Sequence, residues 1–331
     1  MPISVVIPCH NSLRFLPDTV DSVLAQTVSD LELLLIDDGG TDDLAGWASR
    51  RGDERIRVIR QENAGVSAAR NRGIGSSAGE LVAFLDSDDL WEPDFLERLA
   101  PRFEDPQVAL AYSGWDVIDA VGRPNGRAVV STWEGDVWER FVTRNPVAAS
   151  AVMIRTSVLD AVGGFEVNRG RFPIDVEDWE LWVRIAASHR VAVVSDVLAH
   201  HRRHDTNSSS HTQSLDAAYE HFLDTVFADA RPERQALRPV ATARTEMILA
   251  WHCLADDRDP GAALGYRRSA ARHAPEVRRS VEYWRIGAAA AAMRAAGERG
   301  YDSVRAANDG VRRVVGRLGL NRIRREGTFT P

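Results

Sequence analysis

The chain has 331 residues, enough for one large domain and an accessory region. Hydrophobic residues make up 44% and charged residues 27% of the chain, the ordinary balance of a soluble globular protein. All 41 basic residues are arginine, and the formal net charge of -7 excludes a general nucleic-acid binder, which would show a basic excess.

The sequence predicts strands and helices in strict alternation over the first hundred residues. The predicted strands are residues 3–7, 31–36, 56–59 and 81–85, and the predicted helices between them are residues 15–26, 42–51 and 64–77. Alternation of this kind indicates an α/β fold, with a parallel sheet covered by helices on both faces. Ligands of such sheets bind beyond the carboxyl ends of the strands.

After residue 108 the pattern becomes mixed. Strands are predicted at 108–115, 150–154 and 191–195, and helices at 134–143, 156–162 and 176–188. Beyond Asp205 the composition shifts to alanine and arginine with helical periodicity. The sequence therefore predicts a first domain over residues 1–210 and a helical accessory region over residues 211–331.

The termini and the cysteines indicate the cellular compartment of the protein. Cys9 and Cys253 have neither metal-binding nor redox spacing, so we expect a reducing, cytoplasmic compartment. The N-terminus lacks a basic leader, and no apolar run is long enough to span a membrane. The last twenty residues contain six arginines and one glutamate, which indicates either a solvated tail or peripheral contact with the inner face of the plasma membrane.

The fourth predicted strand ends in three carboxylates within four residues, Asp86, Asp88 and Asp89. Adjacent carboxylates repel one another, and a divalent cation would offset that repulsion. Hard oxygen ligands suit Mg²⁺ or Mn²⁺, which usually complete their coordination with substrate phosphates. The alternative is a solvated acidic turn before the next helix.

Polar loops also follow the first two predicted strands, at residues 8–11 and 37–42. Loops at one edge of a parallel sheet converge, so we expect a ligand with ring, hydroxyl and phosphate groups there. Residues 63–73 add a helix start that carries Arg70. This arginine either binds a phosphate or the carboxylates, or lies in solvent on an amphipathic helix.

Two further clusters contain side chains that could act in catalysis or bind a metal. Glu177 and Asp178 open a predicted helix beside two tryptophans, so the pair is either a catalytic base in an apolar setting or a favourable helix start. Residues 200–204 contain three histidines without a zinc-binding spacing. One of them could complete a metal site at Asp88; the alternative, for His200 and His201 above all, is packing between domains.

These motifs, in this order and spacing, resemble family 2 glycosyltransferases, which have the nucleotide-diphospho-sugar transferase (GT-A) fold. The resemblance rests on residues 5–11, 37–42, 63–73, 84–89, 163–165 and 177–182. It extends over roughly residues 3 to 205. Gly40 departs from the pattern, because the family commonly has a serine there.

The resemblance implies roles for individual residues. The implied donor site contains Pro8, Asn11, Asp38, Asn63, Arg70 and Asp86. Asp38 would contact the nucleotide base and Asp86 the ribose. Asp88 would bind Mn²⁺ or Mg²⁺, His204 would stand close to the same metal, and Asp178 would be the catalytic base.

The expected function is that of a metal-dependent inverting glycosyltransferase. It would move a sugar from a UDP- or dTDP-linked donor to a hydroxyl of a glycan, a lipid-linked acceptor or a small molecule. Such reactions build cell-surface polysaccharides, glycolipids or natural-product glycans. The alternatives are a nucleotidyltransferase, although residues 8–16 supply only one basic side chain, and a non-catalytic nucleotide- or sugar-binding module.

Overall fold

The computed structural model describes residues 1–167, 176–205, 215–228 and 230–317, with side chains up to Val304. These residues divide into two compact units. The first contains residues 1–141 and most of the described chain from 145 to 205, and the second contains residues 142–144 and the described chain after 214. The predicted boundary at residue 210 lies outside the described residues.

The first unit is built on one mixed sheet. Its strands are β1 (Ile3–Cys9), β2 (Leu31–Asp38), β3 (Ile56–Gln61), β4 (Leu81–Phe84), β5 (Leu90–Trp91), β6 (Val108–Ile118), β7 (Pro124–Val129), β8 (Val152–Arg155) and β9 (Arg190–Arg202). The order across the sheet is β3-β2-β1-β4-β8-β6-β9-β5, and β7 pairs with β6. The first four strands are parallel, whereas β8 runs antiparallel to both of its neighbours. The predicted mixed, mainly parallel sheet is therefore confirmed.

Helices cover the sheet of the first unit. They are α1 (Leu16–Leu24), α2 (Leu44–Arg51), α3 (Val66–Ile74), α4 (Phe95–Leu99), α5 (Trp138–Phe141), α6 (Thr156–Val162) and α7 (Glu177–Ala186). Every residue of β1 and β4 is buried, which explains why these strands are continuous apolar runs rather than alternating ones. The main core joins these strands to the apolar faces of α1, α2 and α4.

Two predicted elements differ from the structure. The helix predicted over residues 134–143 shrinks to α5, because Gly135 has a φ of +82° and exchanges backbone hydrogen bonds with Val191 of β9. The strand predicted over residues 191–195 extends to Arg202, so His200 and His201 lie inside β9. Pairing with β6 along its length keeps this polar end of the strand extended.

The second unit is helical in its described part. Its helices are α8 (Leu215–Phe227), α9 (Pro232–Gln235), α10 (Arg238–Ala255), α11 (Pro260–His273) and α12 (Val281–Arg317). Non-helical backbone angles at Ala296 and Gly297 interrupt α12. The core of this unit is rich in alanine, which lets helices approach closely. Among the helices described here, none is both long and apolar enough to cross a bilayer.

A close approach between α3 and β1 fixes the position of α3. An ideal Cβ placed on Gly73 would lie 2.3 Å from a methyl carbon of Val6, which is fully buried in β1. Only a hydrogen atom fits at this position. The glycine therefore sets the distance between the sheet and the helix that carries Arg70.

Replacing Gly73 by alanine should lower the free energy of unfolding by about 1–3 kcal/mol, because the added methyl group overpacks the α3–β1 contact. Gly75→Ala is the matched control: its φ is -68° and the nearest atom to an added Cβ is 3.6 Å away. Urea unfolding of both variants measures the difference. Equal losses in the two variants would show that the close approach does not limit this position.

Candidate active site

The carboxyl ends of β1, β2 and β4 meet at one edge of the sheet. The register pairs Val6 of β1 with Phe84 of β4, and Cys9 of β1 with Asp37 of β2. The loops that follow these strands therefore lie side by side, as the parallel-sheet prediction requires. Their polar residues are brought together by the fold although they are separated by more than seventy positions in sequence.

Three exposed polar side chains, from His10, Asn11 and Asn63, form one side of this edge. His10 Nδ1 lies 2.9 Å from the backbone oxygen of Asp38 and 3.2 Å from the side-chain nitrogen of Asn63. Asn11 has a φ of +52°, and its side-chain oxygen accepts hydrogen bonds from the backbone and hydroxyl of Thr41. Asn11 and Asn63 were predicted donor-site residues. His10 was not singled out, although it stands inside the first motif.

Asp38 and Pro8 belong to the scaffold of this edge. The Asp38 carboxylate is 5% exposed and accepts hydrogen bonds from the backbone nitrogens of Ala64 and Gly65 and from the Gln61 side chain. These bonds fix the loop that leads into α3. Pro8 is buried within β1. The predicted contacts of Asp38 and Pro8 with a nucleotide stay predictions.

The glycine at position 40 follows from the packing of the same loops. A Cβ on Gly40 would lie 2.9 Å from the backbone nitrogen of Asn11. The Gly40 nitrogen also donates a hydrogen bond to Asp37, which is paired with Arg60. A larger residue would push the loop of Asn11 away, so the departure from the serine of the family pattern has a steric reason.

The three aspartates after β4 have different surroundings. The Asp86 side chain is 34% exposed, the Asp88 side chain 23%, and the Asp89 side chain 1%. Asp89 accepts hydrogen bonds from the Ser150 hydroxyl and from the backbone nitrogen of Arg202, and it lies 3.3 Å from His201. Asp89 therefore ties β4 to β9, and the two accessible carboxylates are those of Asp86 and Asp88.

Asp88 and His204 form the candidate metal centre. The His204 Nε2 lies 2.7 Å from the Asp88 carboxylate, and the His204 ring stacks on Phe15 with 4.4 Å between ring centroids. Burial, together with the charges of Asp89 and Asp86, raises the pKa of Asp88 to about 6. A cation would relieve this crowding of negative charge.

The donor set fits Mn²⁺ or Mg²⁺ that takes its remaining ligands from water and a diphosphate. A carboxylate oxygen of Asp88 and the Nε2 of His204 lie side by side there. Within the described ranges, no group of three or more histidine, cysteine, aspartate or glutamate side chains is placed to hold a metal ion. A metal at Asp88 would therefore need oxygen ligands from water and a diphosphate.

Arg70 joins this edge to a second acidic centre at the start of α7. Its two terminal nitrogens lie 2.7 Å from Asp86 and 2.7 Å from Glu177, and its side chain is 4% exposed. Burial lowers the pKa of Arg70, but the charges of Asp86 and Glu177 outweigh this effect, and the net pKa is raised. The solvent-exposed alternative for Arg70 is therefore wrong, and the structure places its guanidinium on carboxylates.

Asp178 lies next to this ion pair, partly buried in the first turn of α7. Burial and the neighbouring charge of Glu177 raise the pKa of Asp178 to about 7, although the positive charge of Arg70 opposes them. Such a carboxyl group can both accept and release a proton close to neutral pH. The two acidic centres therefore differ in their chemistry.

The Gly163–Phe165 segment contacts both α3 and α7. The Asn71 side chain of α3 bonds both the backbone nitrogen and the backbone oxygen of Phe165, each at 2.8 Å. Arg184 of α7 donates to the backbone oxygen of Gly164 at 2.8 Å. The sequence motif thus clamps α3 to α7. Asn71 is a positioning residue that the sequence analysis did not identify.

Comparison with protein families gives a match to the model of glycosyl transferase family 2 over residues 4–162. An uncharacterised glycosyltransferase of Nostoc sp. is 30% identical over 241 residues, which are 66% of this chain and 70% of that protein. An uncharacterised glycosyltransferase of Rickettsia felis is 31% identical over 201 residues. The matched region is 60% of this chain but only 32% of the Rickettsia protein.

Two solved structures share the fold. TarS of S. aureus in complex with UDP-GlcNAc superposes with a TM-score of 0.60 at 17% identity, covering 94% of this chain and 92% of that one. The mannosyltransferase PcManGT of Pyrobaculum calidifontis, in complex with GDP-Man and Mn²⁺, has a TM-score of 0.58 at 17% identity. That match covers 98% of this chain and 88% of the mannosyltransferase.

The raised pKa of Asp178 predicts that this residue lowers the free energy of unfolding at high pH. A carboxyl group whose pKa is raised by folding favours the native state below its unfolded pKa of 3.8, and this contribution is lost as the pH rises through about 7. Asp178→Asn should therefore be more stable than the wild type at pH 8, by roughly 2–4 kcal/mol, but not at pH 4.

Urea unfolding as a function of pH measures this difference. Asp160→Asn is the control, since it removes the same charge from an exposed position on α6. A stability difference for Asp178→Asn that does not change between pH 4 and pH 8 would contradict the raised pKa.

Proposed function

Because the chain belongs to glycosyl transferase family 2, we propose that it is a metal-dependent inverting enzyme. It transfers a sugar from a UDP- or dTDP-linked donor to an acceptor hydroxyl of a glycan, a lipid-linked molecule or a small molecule. The observation that carries the proposal is the pair of acidic centres, at Asp86–Asp88 and Glu177–Asp178, joined by the buried Arg70. One centre suits the donor phosphates and the other suits the acceptor proton.

The donor side is formed by the loops after β1, β2 and β4. Asn11, Asn63 and His10 have exposed polar atoms that would contact the nucleoside, and the partly exposed Asp86 would accept a hydrogen bond from a ribose hydroxyl. Asp88 and His204 would hold Mn²⁺ or Mg²⁺. When bound, the metal neutralises charge that develops on the leaving diphosphate. The complexes of TarS with UDP-GlcNAc and of PcManGT with GDP-Man and Mn²⁺ support a nucleotide-sugar donor and a divalent metal.

The acceptor side is formed by Asp178. A general base is most effective when its pKa lies near the working pH, and the pKa of Asp178 is raised to about 7. Asp178 would remove the proton from the acceptor hydroxyl as that hydroxyl attacks the anomeric carbon. Attack opposite to the leaving diphosphate inverts the configuration. Arg70 holds Glu177 in an ion pair, so Glu177 supports the charge state of its neighbour rather than taking the proton.

Two observations disfavour the other candidates. A nucleotidyltransferase would need a basic, glycine-rich loop after β1, and here Arg14 of that loop is paired with Asp205. A non-catalytic binding module would have no use for a carboxyl group whose pKa is raised by burial.

We also place the enzyme in the cytoplasm, in keeping with the free, buried thiols of Cys9 and Cys253. The predicted membrane contact of the basic C-terminal tail falls outside the residues whose side chains are described.

Because Asp88 is assigned to the metal and Asp178 to the acceptor proton, we expect substitutions of these two residues to affect nucleotide binding differently. Asp88→Asn should lower the Mn²⁺-dependent affinity for UDP by about 10- to 100-fold, because it weakens a metal ligand. Asp178→Asn should leave that affinity unchanged, and so serves as the control. Isothermal titration calorimetry with and without Mn²⁺ measures both. Metal-dependent binding that survives in Asp88→Asn would remove Asp88 from the metal site.

Turnover should follow the ionisation of Asp178. We expect kcat/KM of the wild type to rise about tenfold per pH unit below pH 7 and to level off above it, because only the ionised carboxylate accepts the proton. Asp178→Asn should lose about 10²- to 10⁴-fold in kcat at pH 8, and the difference from the wild type should shrink as the pH falls below 7. A profile that is flat between pH 5 and pH 8 would contradict this assignment, as would near-wild-type turnover of the variant.

A further inference from the structure

Two large apolar side chains are exposed at the start of α12 in the second unit. Val281 is 69% and Trp284 63% exposed, and residues three positions apart lie on the same face of a helix. The other exposed large apolar side chains in the described residues, Met1 (50%), Val66 (42%) and Val121 (70%), all belong to the first unit. The pair at Val281 and Trp284 is therefore a local apolar surface rather than part of a general pattern.

The exposed orientation of Trp284 is fixed by its surroundings. The indole nitrogen of Trp284 donates a hydrogen bond of 2.8 Å to the backbone oxygen of Arg278. Ser280 caps the helix: its hydroxyl accepts from the backbone nitrogen of Tyr283 and donates to the oxygen of the buried Val277. The ring of Trp284 is therefore held with its apolar face in solvent.

Arginines surround this apolar pair. The Arg267 guanidinium lies 3.7 Å from the ring centre of Tyr283 and 5.6 Å from that of Trp284, and its Nε donates to the backbone oxygen of Tyr283. Arg278 and Arg279 are both exposed in the turn just before the helix. We call Arg267, Arg278, Arg279, Val281 and Trp284 the α12 patch.

Few carboxylates oppose the positive charge of the α12 patch. Glu276 is exposed two residues before Arg278. The Glu282 side chain is only 12% exposed, and it lies 3.8 Å from Arg244, which neutralises it. Arg267, Arg278 and Arg279 thus outnumber Glu276, the one exposed carboxylate among residues 276–284, although the whole chain has a net charge of -7. At physiological ionic strength the Debye length is about 8 Å. The charges close to the α12 patch, rather than the net charge of the chain, therefore determine how this surface interacts with a charged partner.

We propose that the α12 patch docks on a membrane surface that carries anionic lipid headgroups. Tryptophan prefers the boundary between headgroups and acyl chains, and arginines beside it bind lipid phosphates. A protein partner fits less well, because a stable protein interface covers about 800 Å² on each side and here only two apolar side chains are exposed. A shallow insertion guided by charge needs no larger apolar area. This proposal does not depend on the proposed catalytic function.

The test is co-sedimentation of the full chain with vesicles of phosphatidylglycerol and phosphatidylcholine, and with vesicles of phosphatidylcholine alone. We expect binding to the anionic vesicles only, weakened by added salt. Trp284→Ala should lower the partition coefficient by roughly tenfold, by removing the inserted ring. Arg278→Gln with Arg279→Gln should lower it by about 10- to 30-fold, because each arginine near an anionic surface contributes about 1 kcal/mol.

Two controls separate the α12 patch from other causes. Val121→Ala changes an exposed side chain of the first unit and should leave binding unchanged. A chain that ends at Val311 lacks all six arginines of the basic tail and should still bind. Circular dichroism establishes that each variant is folded.

Several results would overturn the proposal. These are equal binding to both kinds of vesicle, no binding to either, binding that Trp284→Ala leaves intact, and binding that is lost only with the tail. A dimer in sedimentation equilibrium that Trp284→Ala dissociates would also overturn it, by assigning the α12 patch to contact between two copies of the chain.

Discussion

The ion pairs of Arg70 are the interaction on which the site depends. A buried guanidinium is costly to desolvate, and it is stable here only because carboxylates from two separate parts of the chain face it. Asp86 follows the fourth strand and Glu177 opens α7, so one side chain fixes the distance between the two acidic centres, the proposed donor and acceptor sides. The planar fork of arginine can contact both carboxylates at once, which the single ammonium group of lysine cannot do with the same geometry.

The same arrangement gives neighbouring carboxylates different properties. Asp89 is fully buried and hydrogen-bonded to Ser150 and Arg202, so it serves as a structural link. Asp88 keeps an accessible edge beside His204, and its pKa is raised by burial and by the negative charges of Asp89 and Asp86, which a cation can neutralise. Asp178 lies where burial outweighs the charge of Arg70, so its proton is exchanged near neutral pH. Environment, rather than residue type, separates the proposed metal ligand Asp88 from the proposed base Asp178.

The strands of the first unit and the polar edge of its sheet could be predicted from the sequence, because both depend on local patterns. Apolar runs that end in Asp37–Asp38 and Asp86–Asp89 indicate parallel strands with polar loops at one edge, and the structure has this edge. Long-range partners could not be decided from local patterns. The sequence left Arg70 either on the carboxylates or a phosphate or in solvent, because its partners are 16 and 107 positions away. The polar end of β9 reads as a loop, since pairing with β6 rather than apolar composition keeps His200 and His201 extended.

A crystal structure with Mn²⁺ and UDP, using the anomalous signal of manganese, tests the central claim most directly. The account predicts one manganese peak within bonding distance of the Asp88 carboxylate and of the diphosphate oxygens, with the uridine beside Asn11 and Asn63. Asp178 should face the site from α7 without touching the metal. A manganese peak on Glu177 and Asp178, or a diphosphate bound away from Asp88, would contradict the separation of the donor side from the base.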